Sequence, residues 1–310
     1  MRVNKRIAWV PVVVFFAASV LRAQPWIGPR GETTVSITYE RTEHEGHVLT
    51  NGDWLRVGGS HASAVGLTME HSVTDKLAIS VGIPYVASKF ARNNGPNLTL
   101  FCPTCPGLDD GKYHSTWQDF TVGARYRVAT QPVVITPSVS VRFPSHRYAT
   151  AFEAAPGRHL EEVQAGLAAG GVLNPGGQPV YVAGQYTYTF VQKLLGVATN
   201  RSNADLTVGS PLGTAFSMRG FLDWQRTHGG LASDFVLNFD NKTTDPALYR
   251  VHDGLIRDNY WRAGIGAGYA LTAKVNVYAS IAKVLGGTDT HYGYLYNVGV
   301  SRSFNWNVRE

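Results

Sequence analysis

From Ala23 onward the chain alternates apolar and polar residues over about twelve short segments, the last of them Tyr292-Gly-Tyr294-Leu-Tyr296-Asn-Val298-Gly-Val300-Ser-Arg302-Ser-Phe304. A β-strand sends successive side chains to opposite faces, so a strand between lipid and a wet lumen alternates apolar-out with polar-in. The pattern predicts an all-β protein, a transmembrane antiparallel β-barrel of about twelve strands. These are expected at 31–41, 60–70, 76–88, 116–128, 133–146, 159–172, 179–191, 203–209, 214–225, 259–270, 275–286 and 292–304. Short turn-like segments at 71–76, 129–132, 174–178, 210–213 and 271–274 alternate with longer polar connections at 41–59, 89–115, 147–158, 192–202, 226–258 and 287–291. Short turns on one side and long loops on the other is the asymmetry of bacterial outer-membrane barrels, and an even strand number returns both termini to the periplasmic side. The stretch 231–240 is read as loop.

Parity assigns faces. Val35, Ile37 and Tyr39, Leu77 to Tyr85 at every second position, Val122 and Tyr126, and Val182, Tyr186, Tyr188 and Phe190 are expected to face lipid. Aromatic residues near strand ends, among them Tyr39, Tyr85, Trp224, Tyr260, Trp261, Tyr269 and Phe304, suit interfacial girdles. The other parity assigns Glu40, Glu70, Asp119, Arg125, Arg127, Arg142, Glu162, Gln164, Gln185, Asp205, Arg219, Asp223, Arg262 and Asn276 to the lumen. Six acids there meet five arginines. They either pair across strands into a stiffening network, because an unpaired buried charge is costly, or leave part of the arginine set to orient a small anionic solute at a constriction.

The first 23 residues read as a separate unit. Arg2, Lys5 and Arg6 precede the apolar run Ile7 to Val20, which gives a secretory signal peptide at 1–23 and a barrel domain at 24–310, with cleavage near Ala23. That segment holds four positive charges, with Arg22, and no acid, so only +2 of the formal +6 remains in the mature chain. No basic cluster is left to neutralise a row of phosphates, which argues against a nucleic-acid partner. No second apolar stretch approaches the roughly 20 residues of a membrane helix. With charged residues at 16% and 33 glycines, the composition fits lipid-facing strands and tight turns better than a soluble enzyme. Outer-membrane lipid and lipopolysaccharide are the expected surroundings.

Candidate chemistry is sparse. Cys102 and Cys105 flank Pro103-Thr104 in a long loop, and export to an oxidising compartment favours a local disulfide over redox or metal chemistry. His61-Ala-Ser63 matches the His and Ser spacing of outer-membrane phospholipase A, but Ala64-Val65 replaces that family's Asn-Gly and no third partner is evident; a nucleophilic serine needs a base that is itself held. The remaining histidines show no metal spacing and are expected to be solvated. Gly264, Gly266 and Gly268 are expected to face inward and make room in the lumen. No catalytic, metal or cofactor motif emerges.

Several stretches resemble a family of outer-membrane transporters named after the meta-cleavage pathway of phenol degradation. The resemblance rests on Val73-Thr74-Asp75-Lys76-Leu77 through Ile83-Pro84-Tyr85-Val86, on Trp117-Gln118-Asp119-Phe120-Thr121-Val122-Gly123-Ala124-Arg125-Tyr126-Arg127, and on Pro137 to Ser145. It covers about 65–146 and departs where family members often show Gly-X-Gly-Asp, here Thr116-Trp117-Gln118-Asp119. It implies passage of small hydrophobic or aromatic compounds across the outer membrane. Together these readings give the expectation of a channel that passes small organic molecules by passive diffusion, with Arg125, Arg127, Arg142, Arg219, Arg262, Asp119 and Asp223 along its lumen. The alternative expectation is a structural barrel whose loops bind a partner.

Overall fold

The computed structural model describes residues 25–56, 58–92, 108–236 and 246–305. Its strands are β1 (Glu32–Val48), β2 (Trp54–Leu55), β3 (Gly58–Ser72), β4 (Leu77–Arg92), β5 (His114–Trp117), β6 (Phe120–Tyr126), β7 (Val134–Phe143), β8 (Glu162–Leu173), β9 (Val180–Val191), β10 (Thr199–Leu212), β11 (Phe216–Gly229), β12 (Asn259–Thr272), β13 (Val275–Thr288) and β14 (Thr290–Asn305). β5 and β6 are one stave interrupted at 118–119, both paired to β4, and β2 is a two-residue clip on the end of β1. Twelve staves remain, each antiparallel to its sequence neighbour, and β1 pairs with β14 from Glu32 opposite Asn305 to Val48 opposite Thr290. The sheet therefore closes into a twelve-stranded barrel. Among the described residues no helix is long and apolar enough to cross a membrane.

The apolar parity lies outside, as expected. Ile37, Val65, Ile79, Val122, Val139, Leu167, Tyr186, Leu206 and Ile265 are all more than two-fifths exposed, which in a barrel means turned towards lipid. Tyr39, Tyr85, Trp117, Tyr126, Phe190, Trp261 and Tyr269 stand exposed on the same outer surface. Tyr260 differs from the girdle reading. It sits opposite inward Gln225 and directly precedes outward Trp261 in β12, so alternation turns its ring into the lumen.

The loop end departs most from the alternation. β1 runs to Val48, β4 to Arg92 and β11 to Gly229, while β10 begins at Thr199 inside the segment 192–202 expected as loop. The connection expected at 287–291 shrinks to Asp289, held at φ 56° between β13 and β14. Past the lipid both faces of a strand meet polar surroundings, so the ladder continues where its hydrophobic signature stops. The described part of 231–240 is no strand. It forms the short helix α1 (Ser233–Val236), followed by α2 (Pro246–Arg250) and α3 (His252–Leu255). The signal segment and the Cys102–Cys105 pair lie outside the described residues.

A charge on the outer parity tests this assignment. Ile37→Arg should destabilise the barrel refolded into lipid vesicles by about 2–4 kcal/mol, the cost of a cation near the bilayer midplane, in a denaturant titration. The inward neighbour Thr38→Arg should refold with a different, salt-dependent penalty.

Candidate functional site

The lumen divides into two halves. At the turn end it is filled. Residues 25–28 enter the barrel, with Pro25 fully buried and Ile27 nearly so. The Thr136 hydroxyl donates to the Pro25 carbonyl at 2.5 Å, and an Arg125 guanidinium nitrogen lies 3.3 Å from the Trp26 carbonyl and 2.5 Å from Glu70 Oε1. Trp26 meets Tyr181 edge-on with ring centroids 6.3 Å apart. Above them Arg219 lies over the Phe221 ring at 5.5 Å. A Cβ on Gly264 would collide with the Phe221 ring, and one on Gly266 would stand 3.0 Å from Arg219 Nε, so these glycines make room as their inward parity implied. Arg127 belongs to the turn rim, where it donates to the Asp75 carbonyl.

At the loop end the lumen is hollow. A cavity of about 490 Å³ is lined by Asp119, Arg142, Glu162, Gln164, Gln185, Arg201, Asp205, Asp223, Tyr260 and Arg262 from the wall, and by Arg158, Asp253 and Asp258 from the loops. Four of the seven expected lumen residues, Asp119, Arg142, Asp223 and Arg262, meet here; Arg125, Arg127 and Arg219 belong to the filled half. The pairing reading holds for most of the charges. Arg262 donates to Asp223 at 2.8 Å, and Arg158 lies 3.8 Å from Asp258. Glu162 serves two arginines, Arg201 at 2.5 Å and Arg142 at 3.3 Å. Arg201 is buried while 44% of the Arg142 side chain remains accessible, so Arg142 carries the guanidinium most open to the cavity. Wall and loops together bring six carboxylates against four guanidiniums.

Two loop segments cover the mouth. Residues 144–161 descend into it and are held by the interruption between β5 and β6. Gln118 Nε2 donates to the Pro156 carbonyl at 2.7 Å, and the Tyr148 hydroxyl donates to Asp119 while accepting from the His159 amide at 3.0 Å. Burial and the Asp119 carboxylate push the Tyr148 hydroxyl well above its ordinary pKa. Segment 246–258 packs against the first, with the Phe152 amide donating to the Arg250 carbonyl at 2.9 Å.

The histidines expected to be solvated are only partly so. His114 and His146 sit in exposed hydrogen bonds, whereas His47 and His252 are buried at 4% and 0% exposure. A register shift between His44 and Gly46 leaves Glu45 as the extra residue of a β-bulge, so that His44 and His47 both point inward. His44 stacks on His291 with ring centroids 4.5 Å apart, and the His47 ring meets it tilted by 46° with centroids 4.2 Å apart. The close approach depends on glycine: a Cβ on Gly46, at φ 153°, would stand 2.5 Å from the Leu55 carbonyl, and one on Gly293 would collide with the Glu43 carbonyl. His252 Nδ1 donates to the Tyr249 carbonyl at 2.8 Å, which turns Nε2 towards Glu153 Oε1 at 3.2 Å and Asp253 Oδ1 at 3.3 Å. Burial works against charge on this ring, but Glu153 and Asp253 overcome it and carry its pKa up to about 10.

His61 and Ser63 lie on the outer surface near the loop-end rim. Glu43 holds His61, but the Ser63 hydroxyl is engaged by Arg41 at 3.0 Å and Tyr39 at 3.1 Å. The hydroxyl is thus tied to a guanidinium rather than to the imidazole that would have to activate it.

No family model and no curated protein matches the sequence. Among solved structures, an outer-membrane channel from Pseudomonas putida F1 superposes with a TM-score of 0.68 at 14% identity, covering 92% of this chain and 100% of that one. The β domain of the Bordetella autotransporter BrkA follows at a TM-score of 0.51 and 12% identity, covering 88% of this chain and 100% of that one. These likenesses are of fold, and the fold is that of an outer-membrane β-barrel of Gram-negative bacteria.

Proposed function

We propose that this barrel is a passive outer-membrane channel for small organic solutes. The observation that carries the reading is the loop-end cavity, enclosed by a closed strand wall and lined by fixed charges, with a short plug below and two loop segments above. The Arg158, Arg201 and Arg142 side chains and the facing carboxylates suit a solute with polar or ionised ends. An aromatic body for that solute rests on the resemblance to the phenol-pathway transporters. No energy-coupling motif is visible in the sequence, which is consistent with diffusion, and the excess of carboxylates favours cations over anions among small ions.

The refolded mature chain in a planar bilayer should give discrete openings with weak cation preference, blocked by small aromatic acids and amines. Arg142→Ala should weaken block by aromatic acids several-fold, in keeping with about 1 kcal/mol for one partly exposed charge contact. Unchanged conductance and unchanged block in that variant would remove Arg142 from the solute path. Deletion of residues 24–28 should raise the conductance of each opening, since it empties the turn end. A barrel that folds but stays silent even after that deletion would favour a structural or loop-binding role.

A further inference from the structure

One cluster outside the conductive reading has the chemistry of an ion site. His47 on β1 and His291 on β14 are direct cross-strand partners, and Glu153 reaches them from segment 144–161. One ring nitrogen of each histidine and one Glu153 carboxylate oxygen lie within 4.8 Å of one another. His47 Nε2 and Glu153 Oε2 are already 3.1 Å apart. Two ligands on one tetrahedral zinc ion, with bonds near 2.0–2.1 Å, stand about 3.3 Å apart. Only the His291 nitrogen has to close up, by about 1.5 Å at most on the same geometry.

The supports of a ligand set are also in place. Asp109 accepts from the Ala154 amide at 2.9 Å and the Glu153 amide at 3.4 Å, and Ser88 Oγ donates to the Ala154 carbonyl at 2.6 Å, so the backbone that presents Glu153 is fixed from both sides. His252 stands behind the second carboxylate oxygen, oriented by Tyr249, as an outer-sphere histidine orients a metal-bound carboxylate. Imidazole with carboxylate suits zinc-class ions rather than calcium or magnesium.

We propose that His47, His291 and Glu153 bind one divalent transition-metal ion of the zinc class at the loop end of the lumen, tying segment 144–161 to the first and last strands. His291 also borders the main cavity.

The test uses the untagged mature barrel, refolded in detergent and stripped with chelator. Titration with Zn²⁺ should show one saturable site by calorimetry, with one zinc per chain retained through gel filtration. Co²⁺ should give the visible absorption of a tetrahedral nitrogen and oxygen set. His291→Ala is the sharpest variant, because among the described residues that ring takes part only in ring contacts and the fold does not need its nitrogens. It should weaken Zn²⁺ binding by at least about 100-fold, the upper end of what losing an outer-sphere partner alone produces, while the barrel keeps its heat-modifiable gel mobility. His47→Ala should do the same, and covers the case in which Glu153→Gln fails to fold. Absence of a saturable site, or an affinity unchanged in His291→Ala, would overturn the proposal. Neither outcome depends on whether the barrel conducts, so failure here and failure of the channel reading are separable.

Discussion

Everything in this structure hangs on closing the sheet. In hydrocarbon an unpaired backbone amide or carbonyl has no water to turn to and costs several kcal/mol, so a spanning sheet has no tolerable edge. The pairing of β1 with β14 removes the last edge, and it runs the full length of both strands. Closure also fixes the circumference, and with it the interior volume. Each inward side chain must then be accommodated where it stands, which explains why glycines accompany the large residues of the wall. Gly264 and Gly266 yield space to Phe221 and Arg219, and Gly293 lets β1 bulge towards its partner.

Within that fixed volume the interior is sorted by chemistry. The turn half is packed with aromatic rings, the part-buried pair of Arg125 and Glu70, and residues 25–28. The loop half keeps its charges on the wall and leaves the centre open. The guanidinium and carboxylate pairs reconcile the two readings of the lumen that the sequence left open. Most of the set is neutralised by pairing, as burial demands: Arg262 with Asp223 and Arg142 with Glu162 across adjacent strands, Arg201 with Glu162 and Arg125 with Glu70 across one intervening strand. Glu162, however, has two arginines to satisfy, and the more accessible of them, Arg142, retains capacity for another anion. In the proposed channel a stiffening network and a recognition element are the same group of residues, separated only by how completely each charge is used.

The barrel was legible in the sequence because lipid imposes a period of two on every stave it touches, and each of the five turn segments marks an observed strand-to-strand connection, although β3, β10 and β12 run on into 71–76, 210–213 and 271–274. Legibility ended at the lipid boundary. Thr199, Asn200, Arg201 and Ser202 are polar on both faces, so nothing in the alternation marks them as strand, and Arg201 was missed as a member of the cavity. Arg158, Asp253 and Asp258 escaped because loop residues carry no parity. The histidine cluster was hidden twice over. His47 and Glu153 are 106 residues apart in the chain, and the unbroken alternation of Val35, Ile37 and Tyr39 places His47 outside, so that only the bulge at Glu45 turns it inward. Only the extra polar residue in His44-Glu45-Gly46-His47, beside a glycine, hinted at it. Parity also says nothing about height along the axis, and so could not separate Arg125 and Arg219 from Arg142 and Arg262.

The direct pairing of His47 with His291 places those two rings on opposite sides of the barrel's seam. In an open sheet they belong to its two outermost staves, with ten others between them, and their contact exists only once the first strand has found the last. Their mutual proximity is therefore a reporter of circularisation: a probe sensitive to contact between these two rings would distinguish a zipped barrel from a nearly complete but unsealed sheet, a difference to which strand content and tryptophan environment are almost blind.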